Sequence, residues 1–170
     1  IVNTSRTLII TVKDSFHMHR KGESDSEKEE LKIITNRHIA WLTALRYAMR
    51  TKKEWETSYQ EGKKKMQFTY NIPERKTTLA EELEPLLTKE EFDYVMSKDN
   101  KPNALISLQS KHLRELRNQD KLWDFSLLEL QGMLQELTAL QGKSERIKNF
   151  PYPKQYGSIG YHFVHIFMWL

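Results

Sequence analysis

The sequence predicts an all-α protein. Only five Pro and six Gly interrupt its 170 residues, two long stretches repeat leucine at helical spacing, and no segment alternates convincingly as a strand would. So few turn residues favour long helices over a turn-rich β fold. The length suits one domain able to bury a real core. No internal repeat and no low-complexity tract is present.

Residues 4–19 carry Leu8, Ile9, Ile10, Val12 and Phe16 and read as a first helix, entered through Asn3, Thr4 or Ser5 as its cap. Gly22 to Ser26 is a polar break. Ser26 and Glu29 then have the spacing of a capping box, in which hydroxyl and carboxylate each take a free backbone N–H. The helix that follows, about 27–53, places Leu31, Ile34, His38, Leu42, Leu45 and Met49 on one buried face. Arg37, Arg46 and Arg50 fall beside or away from that stripe and read as an ordinary charged outer face. Residues 54–76 lose the period, and Gly62, Lys63-Lys64-Lys65 and Pro73 mark a loop or hinge.

Thr78 with Glu81 starts a short helix that Pro85 stops or bends, and Thr88 with Glu91 repeats the capping pattern ahead of Phe92, Tyr94, Val95 and Met96. Asn100-Lys101-Pro102-Asn103 is a turn, with Asn103 as cap for a helix carrying Leu105, Leu108, Leu113 and Leu116. After a break at Asn118 to Lys121, a helix over about 123–147 aligns Leu127, Leu130, Leu134 and Leu137, with Leu128, Met133 and Leu140 widening its apolar surface. Pro151 and Pro153 end it. Tyr156 to Leu170 resumes as an apolar helix.

The mean hydropathy of -0.70 and 29% charged residues describe a mostly polar chain. Its net charge of +4 is modest, and the lysine run reads as a solvated loop. Zero cysteines exclude a disulfide framework, a Cys-type zinc site and a thiol nucleophile. The chain opens at Ile1 without an initiator Met or a signal-peptide pattern, and stops at Phe167-Met168-Trp169-Leu170 inside an apolar run that begins near Ile159. It therefore reads as a segment of a longer chain that ends on the first half of a membrane helix, since a full span needs about 20 residues. A buried C-terminal helix is the other reading.

No catalytic constellation emerges. His17 and His19 are two apart on a helix and point to different sides. His38 lies on the apolar stripe, where a core histidine with a satisfied hydrogen bond is the simpler assignment. His162 and His165 sit one turn apart without an acidic companion. No phosphate-binding Gly-rich loop, nucleophile elbow or HExxH occurs, and Glu81-Glu82 and Glu90-Glu91 occupy first helical turns, where the macrodipole accounts for them. Helix 27–53 mixes its basic residues with Glu27, Glu29, Glu30 and Glu54, so a nucleic-acid reader is not indicated. No enzyme, metal, cofactor or nucleic-acid partner is expected.

Four strings stand out in order: Ile1-Val2-Asn3-Thr4-Ser5-Arg6-Thr7, then Arg37 to Trp41 with Ala44-Leu45-Arg46 and Arg50, then Lys101 to Ala104, then Gly142 to Pro153 with Tyr156. Together they resemble the bestrophin family of ion channels, the first being similar to the segment after its pore-lining second membrane helix. Arg37-His38-Ile39-Ala40-Trp41, followed by Ala44-Leu45-Arg46 and Arg50, resembles the next cytosolic helix. Lys101-Pro102-Asn103-Ala104 matches a turn of bacterial members, and Gly142 to Pro153 with Tyr156 resembles the junction into the third membrane helix. The resemblance implies an elongated helical bundle, residues 1–155, forming the cytosolic part of a homopentameric channel in the cell membrane, with 156–170 starting a membrane helix. It implies passive movement of small ions, chloride or other monovalent ions, through a central pore. By the same resemblance the cytosolic aperture falls at Leu128, with Leu127 one residue off in register, and a core role is the plain alternative for either leucine. Pro151, Tyr152, Pro153, Tyr156 and Trp169 would sit at the lipid interface, with Lys148 and Lys154 on the cytoplasmic side. The competing class is a helical interaction module without a transport role, whose aromatic C-terminal helix docks on a partner.

Overall fold

A computed structural model describes residues 1–19, 25–51, 53, 74, 76–150 and 154–169. Among them are seven α-helices and no strand: α1 (Val2–His19), α2 (Asp25–Arg50), α3 (Leu79–Leu83), α4 (Lys89–Met96), α5 (Lys101–Asn118), α6 (Asp124–Asn149) and α7 (Lys154–Trp169), with a 3-10 turn (Glu84–Leu86) after α3. Gly62, the lysine run and Pro73 lie outside the described residues, as do Pro151, Tyr152 and Pro153.

The core forms where apolar stripes of several helices meet around α2. Ile34 and Leu45 are buried and Leu31, Leu42 and Met49 pack half-buried against the core, as their spacing predicts, while Ala40, Trp41 and Ala44 are buried beside that stripe. From α1 come Leu8, Val12 and Phe16; from α5, Leu105, Leu113 and Leu116; from α6, Leu130, Leu134 and Leu137. Each fully buried leucine stabilises the fold by roughly 1.5–3 kcal/mol relative to exposure. The broadest contact is α2 with α5, and α6 covers both α1 and α5. Ser110 and Gln131 exchange bonds across the α5–α6 seam at 3.0 and 3.2 Å.

Local chemistry sets the helix ends. Thr78–Glu81 and Thr88–Glu91 both form complete capping boxes, and Pro85 turns α3 into its 3-10 extension. Three expectations need correction. The first helix starts at Val2, so Asn3, Thr4 and Ser5 lie within it and do not cap it. Ser26 is likewise inside α2, whose first turn carries Asp25 and Glu27, while Glu29 faces Lys32 at 3.8 Å. The cap of α5 is Asn100, whose side chain accepts from the Asn103 N–H at 3.0 Å. Pro102 permits this earlier start because a first-turn proline removes only an N–H that has no helical acceptor.

The α5–α6 turn is held by its backbone. Lys121 N–H donates to Leu116 C=O at 2.9 Å and Asp120 N–H to Arg117 C=O at 3.0 Å, the paired bonds of a Schellman ending. That ending requires a left-handed residue, and Asp120 supplies it at φ 55°. Glycine has no penalty there, whereas a β-branched residue does. Asp120→Gly is therefore expected to keep or raise the melting temperature, and Asp120→Val to lose about 1–2 kcal/mol. Thermal unfolding followed by circular dichroism checks both, and equal melting of the two variants would refute the assignment.

Candidate functional site

Two features stand out from the packed leucines: a polar chain through the α2–α5 contact and an apolar tip at the start of α6.

The polar chain begins with Arg37, which the sequence places on the outer face of α2. Instead it is only 5% exposed. Ile34, Arg37, Trp41 and Ala44 form a second helical stripe, which α5 covers with Leu105, Gln109, His112 and Leu116 at the same spacing. The polar members of the two stripes therefore meet. Arg37 Nε donates to Glu91 Oε1 at 3.1 Å, and Nη2 pairs with the same carboxylate. Its Nη1 reaches Gln109 Oε1 and His112 Nδ1, both at 3.0 Å. Gln109 returns an N–H to the Ile34 carbonyl at 3.3 Å. Glu91 thus serves twice, closing the cap of α4 and neutralising a buried guanidinium of α2.

An arginine has no lone pair to offer, so His112 Nδ1 must be the acceptor and its proton sits on Nε2. That N–H faces Glu30 Oε2 at 3.0 Å, and Glu30 Oε1 holds Lys121 Nζ at 2.8 Å. Burial, followed by the adjacent Arg37 charge, pushes the His112 imidazole below its ordinary value against the pull of Glu30. Burial alone would raise the Glu30 carboxyl, but Lys121 and His112 together hold it below the usual carboxylate range. The chain runs Lys121–Glu30–His112–Arg37–Glu91.

A second network flanks it. Trp41 Nε1 donates to Gln141 Oε1 at 2.9 Å, and Gln141 Nε2 reaches Glu145 at 2.8 Å and the α5 cap Asn100 at 3.4 Å. His38 stacks on Trp41 with ring centroids 5.3 Å apart. It is a core residue, as the stripe predicts, but among the described residues its Nε2 has no hydrogen-bond partner, contrary to expectation. Burial pushes its imidazole down to about 4. Of these polar residues, Arg37 and His38 stand out in the sequence, and Glu91, Glu30 and Asn100 are read there only as cap, outer-face and turn residues. Gln109, His112 and Gln141 were findable as polar residues at i+3/i+4 positions of otherwise leucine-rich stripes.

The apolar tip follows the Asp120 turn. Leu122 is buried, but Trp123 is half-exposed, Phe125 is 83% exposed and Leu128 70%. Leu128 therefore does not widen the buried face of α6; it lies 100° beyond Leu127, which packs half-buried against the core. Arg117 braces the turn through Asp124, with Nη2 3.2 Å from Oδ2. Together Arg117, Leu122, Trp123 and Phe125 line an open groove of about 320 Å³.

At the other end, α7 begins at Lys154, two residues before the expected boundary, and Ile159, Phe163, Ile166, Phe167 and Trp169 are exposed. His165 Nδ1 lies 3.0 Å from the Tyr161 carbonyl oxygen. The α1 backbone is helical through His17 and His19, whose side chains lie outside the described ones, as does that of Tyr156. Among the described residues no helix is long and apolar enough to cross a membrane, and no three His, Asp or Glu cluster in a way that would hold a metal.

Comparison with known proteins gives a consistent result. A family model described as bacterial/fungal bestrophin protein matches residues 1–170. No curated protein is similar enough in sequence to count as a match. A crystal structure of a membrane protein variant superimposes with a TM-score of 0.68 at 20% identity, covering 96% of this chain and 49% of that one. A variant of a bacterial bestrophin homologue from Klebsiella pneumoniae gives 0.66 at 21% identity, covering 97% and 52%. The likeness to both structures is one of fold, and the chain spans about half their length.

Two outcomes are expected from these buried polar residues. Arg37→Met leaves the Glu91 carboxylate without its cation and should cost about 3–5 kcal/mol, while adding Glu91→Met should cost less than the two single losses combined. Denaturant unfolding of the three variants measures this, and simple additivity would show the pair to be uncoupled. Because the folded value of His38 lies below its unfolded one, the unfolded chain takes up the proton first as pH falls. Stability is complete above about pH 6.5 and falls toward pH 4, by on the order of 3 kcal/mol. His38→Phe keeps the stacking and should flatten that decline; an unaltered pH profile would rule His38 out as its source.

Proposed function

Because the chain belongs to the bacterial and fungal bestrophin family, we propose that it forms the cytosolic wall of a membrane-embedded ion channel. In this reading it carries chloride or other monovalent ions passively through a central pore. The family match over residues 1–170 carries the proposal. Residues 1–155 hang beneath the bilayer, and α7 is the opening stretch of a membrane helix. The exposure of its apolar side chains, from Ile159 to Trp169, favours this, because lipid would cover what the described residues leave bare. Its 16 residues reach most of the way to the roughly 20 that a bilayer span requires. Pro151, Tyr152, Pro153, Tyr156 and Trp169 are assigned to the lipid interface in this reading, because aromatic side chains favour that depth.

Five copies around one axis would bring five α6 tips together. Leu128 is the aperture residue in this arrangement, for it is 70% exposed one position beyond a leucine committed to the core. A ring of identical apolar side chains disfavours water and bare ions, so small changes in its radius alter conductance. Leu127 shapes the ring only by holding α6 in place.

Planar-bilayer recording of the intact protein under an ion gradient tests the proposal. Leu128→Ala is expected to change single-channel conductance. Leu127→Ala is expected to leave it nearly unchanged while costing about 1–2 kcal/mol of stability. Unaltered conductance in Leu128→Ala would remove that residue from the pathway, and absence of current from the wild-type protein would defeat the channel reading itself.

A further inference from the structure

The polar chain ends at the turn that presents the α6 tip. Lys121, its last member, also donates the backbone bond to Leu116 that closes the Schellman ending, one residue before buried Leu122. Glu30 of α2 therefore holds that turn through the Lys121 side chain at 2.8 Å and holds His112 at 3.0 Å with its other oxygen.

The charges in this chain balance only while His112 is neutral. Arg37 and Lys121 supply two cations, and Glu30 and Glu91 supply two carboxylates. The groups facing His112 are Glu30 and Arg37 from α2, Glu115 on its own helix, and Lys121 beyond it. Glu115 is shared with Lys111 at 3.6 Å, and Glu91 of α4 acts through Arg37. The contact of α6 with α5 here is the neutral Ser110–Gln131 pair. A second proton on the imidazole has no acceptor, because Nδ1 points at a guanidinium 3.0 Å away. It also leaves a part-buried cluster with an unmatched positive charge.

We propose that His112 is a proton-responsive tie between α2 and the α5–α6 turn: its protonation breaks the Arg37 contact, draws Glu30 toward the imidazolium and slackens the hold of Glu30 on Lys121. Arg37 keeps Glu91 and Gln109, so the imidazole is the group that moves. Acidification on this side of the membrane then changes the set of the α6 tip. The change at the turn stands on the contacts alone; its effect on current rests on the channel reading above.

Hydrogen exchange of the intact protein, corrected for intrinsic rates, separates the two. Lowering the pH from about 7.5 to about 5.5 should reduce protection of amides 112–127 by at least about fivefold. His112→Gln and His112→Asn each offer an amide oxygen to Arg37 and an amide N–H to Glu30 without titrating, so they should remove that loss. In bilayers, the wild-type current should respond to cytosolic pH over the same range, and the variants should conduct without the response. Equal loss of protection in wild type and both variants would overturn the tie. A difference in exchange without any current would uphold it and defeat the channel reading, and a difference in exchange with pH-insensitive current would confine its effect to the turn.

Discussion

Arg37 sits in the middle of α2 almost without solvent, where an unpaired cation would cost several kcal/mol, and this limits how α4 and α5 can be placed around α2. Its guanidinium presents donors in a fixed plane. Two of its nitrogens take Glu91, and the third takes Gln109 and His112, so α4 and α5 must approach together and in one register. A four-residue slip of α5 would put Leu113 and Leu116 in the places of Gln109 and His112 and leave the Nη1 donors without acceptors, even with Glu91 still meeting the charge. Leucine packing alone tolerates such slips far better, because apolar contacts are not directional.

Specificity at that point supports a feature at some distance from it. Glu30, on the same helix as Arg37, secures both His112 and Lys121, so the polar chain connects the α2–α5 register to the turn that starts α6. The left-handed Asp120 and the Arg117–Asp124 brace complete the turn. Together they put Leu122 inside and leave Phe125 and Leu128 outside. An apolar tip held this way presents its side chains at a defined place.

Much of this fold was legible from local pattern. The stripes of α2, α5 and α6 follow from leucine spacing, because a helix brings every third or fourth residue to one face. Both threonine capping boxes and the Pro85 bend are short-range chemistry within a few residues. The misread positions depended on something more. Ser26–Glu29 has the right spacing for a cap, yet α2 is already helical at Asp25, since first-turn acidic residues support an earlier start. Asn100 and Asn103 are equally plausible caps by type, and only the backbone shows which one bends.

The helical stripes, the two threonine capping boxes, the apolar character of the C-terminal segment and the family resemblance were determined by the sequence itself, since each depends on residues close in the chain or on ordered strings. The tertiary structure decided that Arg37 turns inward, that His112 accepts from it, and that Leu128 faces out while Leu127 faces in. Arg37 lies 54 residues from Glu91 and 75 from His112. Whether a polar side chain on an apolar stripe is buried depends on finding a partner at such distances, and helical periodicity carries no record of one.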